Sequence, residues 1–224
     1  MLFLAVKLGF FAENITENIS NREKEHQYIK SLINDLKNDT AEISRELVAQ
    51  AIVIKKIDSA INIYPEEIKE VAKQDSFYHY FIYFYCWADY FTRNDNTIQQ
   101  LRNAGGFNLI TKSGVIDSID ANISFYNNDV KDDNDYYIEC YKKVVDLGAQ
   151  LMKLPKPPIV KTDPVFYSFP SNVPIFNQYT DAQLEYFYTW IKGEEGALNL
   201  CMKKEVGYGN ECVRLIHFLN KKSN

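Results

Sequence analysis

The chain has 224 residues, 25 basic against 30 acidic side chains, a net charge of −5 and a pI near 5.3. That balance lacks the basic footprint of a nucleic-acid binder, and 46% hydrophobic with 25% charged residues excludes global disorder. Nine Gly and seven Pro are too few punctuators for a many-turned β fold and favour helices.

Met1–Ala12 (MLFLAVKLGFFA) is an apolar cap interrupted by Lys7. As a helix it spans about 18 Å, short of a hydrocarbon core of roughly 30 Å. It has no basic n-region and no small-x-small cleavage site before Glu13, so it does not read as a signal peptide. Two readings remain. One is the C-terminal end of a membrane helix whose start lies upstream; the other is a short amphipathic helix lying on a membrane or packing on the bundle. From Ile15 to Ile61 side chains recur at steps of four and three: Ile15, Ile19, Arg22, His26, Ile29, Ile33, Leu36, Thr40, Ile43, Leu47, Gln50, Ile54, Ile57, Ile61. This period predicts one long helix over 13–62 with a seam suited to a coiled coil or a bundle, and a homo-oligomer could form through it.

Pro65 followed by Glu66-Glu67 marks a helix start. The run Phe77–Phe91 (FYHYFIYFYCWADYF) carries ten aromatics and is apolar on every side, which predicts a central buried helix. The functional alternative is an aromatic pocket for a flat ligand, with Tyr80, Tyr83 and Trp87 as its walls and Arg93 at its end. A short helix over Thr97–Ala104 stops at Gly105-Gly106, and Ser113 is expected to cap the next helix. That helix, single or double, runs from Ser113 to about Leu154. The acidic run Asn127–Asp135 within it matches no calcium loop and reads as a solvated turn or an exposed helical stretch.

Six prolines fall between Leu154 and Pro174, predicting an extended strap over 155–174. Thr180 and Gln183 form a capping box for a last helical region reaching Lys222. Gly193/Gly196 and Gly207/Gly209 predict breaks near 193–196 and 207–210. The fold class is therefore all-α: a long N-terminal helix in a multi-helix bundle, with a Pro-rich strap before the C-terminal helices. In domain terms, 1–12 is a cap or anchor remnant and 13–224 a single helical domain.

Little chemistry is marked. Cys86, Cys140, Cys201 and Cys212 form no CxxC pair and no His stands at metal-ligand spacing, so no metal site is expected. Four buried free thiols are expected, one or two disulfides being the extracytoplasmic alternative. His26, His79 and His217 lack catalytic neighbours, and no hydrolase, protease or kinase signature occurs. No catalytic residue and no cofactor is expected. A cleft gathering two buried carboxylates would revive an enzyme reading.

Two phrases resemble a known family: residues 3–40, FLAVKLGFFAENITENISNREKEHQYIKSLINDLKNDT, and residues 94–128, NDNTIQQLRNAGGFNLITKSGVIDSIDANISFYNN. They are similar to an uncharacterised Bacteroidetes family of membrane-anchored helical proteins, a domain of unknown function. The resemblance implies a membrane anchor at the N-terminus, a mainly helical domain facing the periplasm, and no assigned catalytic residues. The expected role is a membrane-anchored structural or interaction domain. The rival expectation is an extracytoplasmic sensor or ligand-binding module. Since 1–12 alone does not span, the chain as it stands also fits a soluble form.

Overall fold

The computed structural model describes residues 2–103, 105–153 and 174–223. The long N-terminal pattern is a single helix, α1 (Leu2–Ile61), over a stretch that holds one glycine and no proline. Its buried stripe is Glu25, Ile29, Leu32, Leu36, Asp39, Ile43, Glu46, Gln50, Val53, Ile57 and Ala60, at alternating steps of four and three, with Ile33 buried beside Leu32. From Ile29 onward this stripe shares Ile29, Ile33, Leu36, Ile43, Gln50 and Ile57 with the expected seam, but Asp39, Glu46, Val53 and Ala60 are buried in place of Thr40, Leu47, Ile54 and Ile61, so the buried face is shifted and partly polar. Ile15 and Ile19 stay more than half exposed.

Five further α-helices follow among the described residues. After a 3-10 turn, Pro65–Lys69, comes α2 (Val71–Tyr85), then α3 (Asn96–Asn103), α4 (Val115–Phe125), α5 (Lys131–Leu151) and α6 (Asp181–Ser223). No β-strand occurs among the described residues. Pro65 opens the 3-10 turn, and Glu67 accepts the Tyr64 N–H at 2.9 Å. The aromatic run departs from expectation at its C-terminal end: α2 stops at Tyr85, six residues before Phe91. Ser113 is not the cap of α4. Gly114, at φ 76°, occupies that place, a left-handed conformation that glycine adopts without a Cβ clash. The acidic run forms a π-turn, Tyr126–Val130, leading into α5, with Val130 and Asn134 buried.

The breaks expected in the last helix do not occur: α6 runs unbroken over 43 residues. Each interior glycine costs about 1 kcal/mol against alanine. The buried stripe Leu184, Phe187, Tyr188, Ile191, Ala197, Leu198, Cys201, Tyr208, Cys212, Leu215 and Leu219 outweighs that cost. The predicted capping box is present, with Thr180 N–H donating to Gln183 at 2.8 Å and Gln183 N–H to Thr180 at 3.2 Å. The Pro-rich strap lies outside the described residues up to 173. Its flanks meet in an antiparallel bridge between Met152 and Phe176. The Gln74 side chain accepts the N–H groups of Ile175 and Phe176 at 2.9 and 3.2 Å.

The chain divides into two compact units, and α1 and α6 contribute to both. The first comprises Met1–Glu42, Thr92–Tyr126 and Tyr208–Asn224; the second, Ile43–Phe91 and Asn127–Gly207. The second has a core of Phe77, Phe81, Phe84, Tyr137, Val144, Phe187 and Ile191. The Phe81 and Phe84 rings meet edge-on at 5.1 Å and Phe81 meets Phe187 at 5.6 Å.

Candidate functional site

In the first unit, three acids of α1, two of them buried, hold backbone that comes from much later in the chain. Glu25 accepts the N–H groups of Thr111 and Lys112 at 2.7 and 3.1 Å. Asp35 accepts the Thr97 N–H at 3.0 Å and so caps α3, which has just eight residues. Asp39 accepts the Asn94 N–H at 2.9 Å. Burial pushes the Asp39 carboxyl up to about 7, the Asn94 N–H and Arg93 opposing that rise while Asp35 and Asp95 add to it.

Arg93, one of the residues expected at an aromatic pocket, belongs to this first unit. It is buried, paired with Asp95 at 2.6 Å, and its guanidinium lies 4.7 Å from the centre of the Tyr126 ring. The other three belong to the second unit. Tyr80 and Tyr83 are half-buried, and the Lys56 ammonium stands over both rings at 5.6 and 5.5 Å. Trp87 follows the end of α2, half-buried, with its indole N–H enclosed and without a partner among the described residues. Two of the expected aromatics therefore share a cation from α1, whereas Trp87 stands outside the helix that carries them.

Sequence reading missed the buried acids of α6. Glu194 and Glu205 are both 0% exposed. Among the described residues neither oxygen of Glu194 has a hydrogen-bond partner, and burial pushes its carboxyl up to about 8. Glu205 accepts the Gln50 amide and the Phe91 N–H, both at 3.2 Å. The signal that could have found them is positional: both fall on the three-four stripe of α6, where the other members are apolar. Eleven residues apart on one helix, they are separated by about 16 Å, too far to act as a paired acid and base. All three histidines are exposed.

The cysteines are free, and three of them, Cys140, Cys201 and Cys212, are buried as expected; Cys86 is exposed, against the expectation of four buried thiols. Its place just past the end of α2 turns it outward. Burial pushes the Cys201 and Cys212 thiols up to about 12. Titration of the native protein with a thiol reagent at neutral pH is expected to show one fast thiol, abolished by Cys86→Ser. The remaining three should react only on unfolding. Any fast thiol remaining in Cys86→Ser would contradict this burial pattern.

The other distinctive surface is the start of α1. Residues 7–19 are all exposed, including Leu8 at 63%, Phe10 and Phe11 at 68%, Ile15 at 57% and Ile19 at 55%. Leu8, Phe11, Ile15 and Ile19 follow each other at steps of three and four, while Phe10 lies on another side of the helix. No helix among the described residues is long and apolar enough to cross a membrane. No protein-family model, curated protein or solved structure matches the chain.

Proposed function

We propose that the chain is a structural or interaction domain held at a lipid bilayer by the first turns of α1. The observation that carries this reading is the uncovered apolar surface at Leu8, Phe10 and Phe11. A protein groove would cover one stripe of such a helix. Phe10 and Phe11 are about 100° apart around the axis, so a medium that surrounds the helix suits them better. Burying each large side chain stabilises by about 1.5–3 kcal/mol. Glu13 and Glu17 limit the immersed part to the residues before them, as in an interfacial anchor. The resemblance of residues 3–40 to membrane-anchored helical proteins points the same way, and a periplasmic placement of the domain follows from that resemblance alone.

The test is flotation of the full chain with phosphatidylcholine vesicles. The wild-type protein is expected to float with the lipid, and Phe10→Glu with Phe11→Glu to lower vesicle binding at least about tenfold. Wild-type protein that stays in the dense fraction would end this reading. So would vesicle binding that both substitutions leave unchanged. A dimer that forms without lipid and is lost in the same double variant would assign the surface to a second copy instead.

A further inference from the structure

Three separate segments of the first unit meet at the end from which the start of α1 emerges. Glu25 of α1 accepts the N–H groups of Thr111 and Lys112. The Lys112 ammonium donates to the carbonyl of Lys222, in the last turn of α6. A Cβ at Gly106 would lie 3.2 Å from the Tyr28 ring of α1, and one at Gly114 would lie 3.7 Å from the Phe218 ring of α6. Residues 20–30, 99–114 and 218–223 therefore close this end together, and beyond it α1 runs on with residues 7–19 exposed.

The charge of this end is opposite to that of the chain. The three segments carry seven basic side chains and two acidic ones, within a chain of net charge −5. One of the two acids, Glu25, is buried and occupied by backbone N–H groups. Arg22, Lys24, Arg102 and Lys221 are exposed. Cations in the last turns of α3 and α6 answer the carbonyl ends of those helices. Arg22 and Lys24 lie inside α1, where no helix end calls for them.

We propose that this basic end binds the anionic headgroups of the bilayer that takes up the first turns of α1. The proposal rests on the anchor reading above for the position of that bilayer. Phe11 and Arg22 are eleven residues apart, about 16 Å along the helix. A headgroup layer of roughly 5–8 Å and a Debye length of about 8 Å together reach that far for an upright helix, and any tilt brings the cations nearer. Each Lys or Arg at an anionic surface strengthens binding about fivefold. Glu13 and Glu17 stand between the apolar start and the basic end and oppose the attraction, so the gain is well below the product of seven such factors.

The test is flotation of the full chain with vesicles of phosphatidylcholine alone and with vesicles holding about 30% phosphatidylserine, at low salt. Binding to the anionic vesicles should be at least about tenfold tighter. Arg22→Gln combined with Lys24→Gln, Arg102→Gln and Lys221→Gln should bring it within about twofold of the phosphatidylcholine value. The same four substitutions should leave binding to phosphatidylcholine unchanged, because Phe10 and Phe11 remain. Equal wild-type binding to both vesicles would overturn the basic surface and leave the anchor standing, whereas flotation with neither would end both. A preference for anionic lipid that survives the four substitutions would also overturn the proposal. Binding to anionic vesicles alone, lost in the substituted chain, would support the basic surface and end the anchor reading. Should that variant not fold, the wild-type ratio between the two vesicles decides. Sodium chloride at about 1 M should bring the ratio close to one, and an unchanged ratio overturns the proposal.

Discussion

Glu194→Gln is expected to remove most of a stability loss that the wild-type chain suffers between about pH 4.5 and about pH 8. The Glu194 carboxyl is pushed up to about 8 by burial, from an ordinary value of 4.5. Across that window the folded state holds a proton that the unfolded chain has released. Stability is therefore greatest below the unfolded value and falls as pH rises through the folded one. The full loss is on the order of 3–5 kcal/mol. Asp39, raised to about 7, acts in the same direction, so the Gln variant keeps a smaller slope. Glu194→Met should add stability at alkaline pH, because a neutral side chain of similar volume needs no partners for two carboxylate oxygens. Urea unfolding at about pH 5 and about pH 9 measures both effects. A wild-type slope retained in Glu194→Gln would place the titrating group elsewhere.

Gly148→Val is expected to destabilise the second unit by about 3 kcal/mol, and Gly148→Ala by about 2 kcal/mol. A Cβ at Gly148 would lie 2.5 Å from Phe81 Cζ and 3.1 Å from Phe81 Cε1. Phe81 cannot swing away. It is 0% exposed and packed against Phe77, Phe84 and Phe187. Glycine at this point of α5 is a packing requirement of α2, and its backbone there is ordinary helix. Phe81→Leu should therefore rescue part of the loss in a double-mutant cycle of denaturant unfolding. Strict additivity of the two substitutions would show that the close approach does not set the cost.

The parts of the fold legible in the sequence are those governed by local pattern. The three-four period predicts α1 to within a residue of its end at Ile61, because nothing in 13–61 opposes a helix. The capping box at Thr180 and the Pro65 start are likewise local devices. What pattern could not supply was decided by distant partners. Trp87–Phe91 contains no breaker, yet the chain leaves the helix at Tyr85 and the Phe91 peptide is held by Asn134 and Glu205, 43 and 114 residues away. The glycines of α6 look like breaks only when the burial of the surrounding stripe is unknown. Gly193 and Gly196 face open space, so no close approach requires glycine there and their propensity cost is the whole of their effect.

The candidate sites were legible unevenly for a related reason. The apolar start of α1 is plain in the residues themselves. Tyr80, Tyr83 and Trp87 stand out by composition, but Arg93 follows its own partners, Asp95 and Tyr126. The buried acids were hidden because a polar residue on a core stripe resembles an interruption. Asp39, Glu46, Glu194 and Glu205 all sit on such stripes, and burial alone turns them from gaps in a pattern into its most distinctive members.

The carboxylates of α1 have a consequence for how this sequence can drift over generations. Glu25, Asp35 and Asp39 grip main-chain N–H groups of Asn94, Thr97, Thr111 and Lys112. Every amino acid except proline brings that same donor. The gripped positions are consequently free to change side chain at little loss to these particular bonds, while each acid on α1 is answerable for backbone it does not adjoin. Inheritance should therefore weigh on one side of each contact: descendants of this chain would keep three acids spread along a helix and vary the segments those acids hold, with proline excluded.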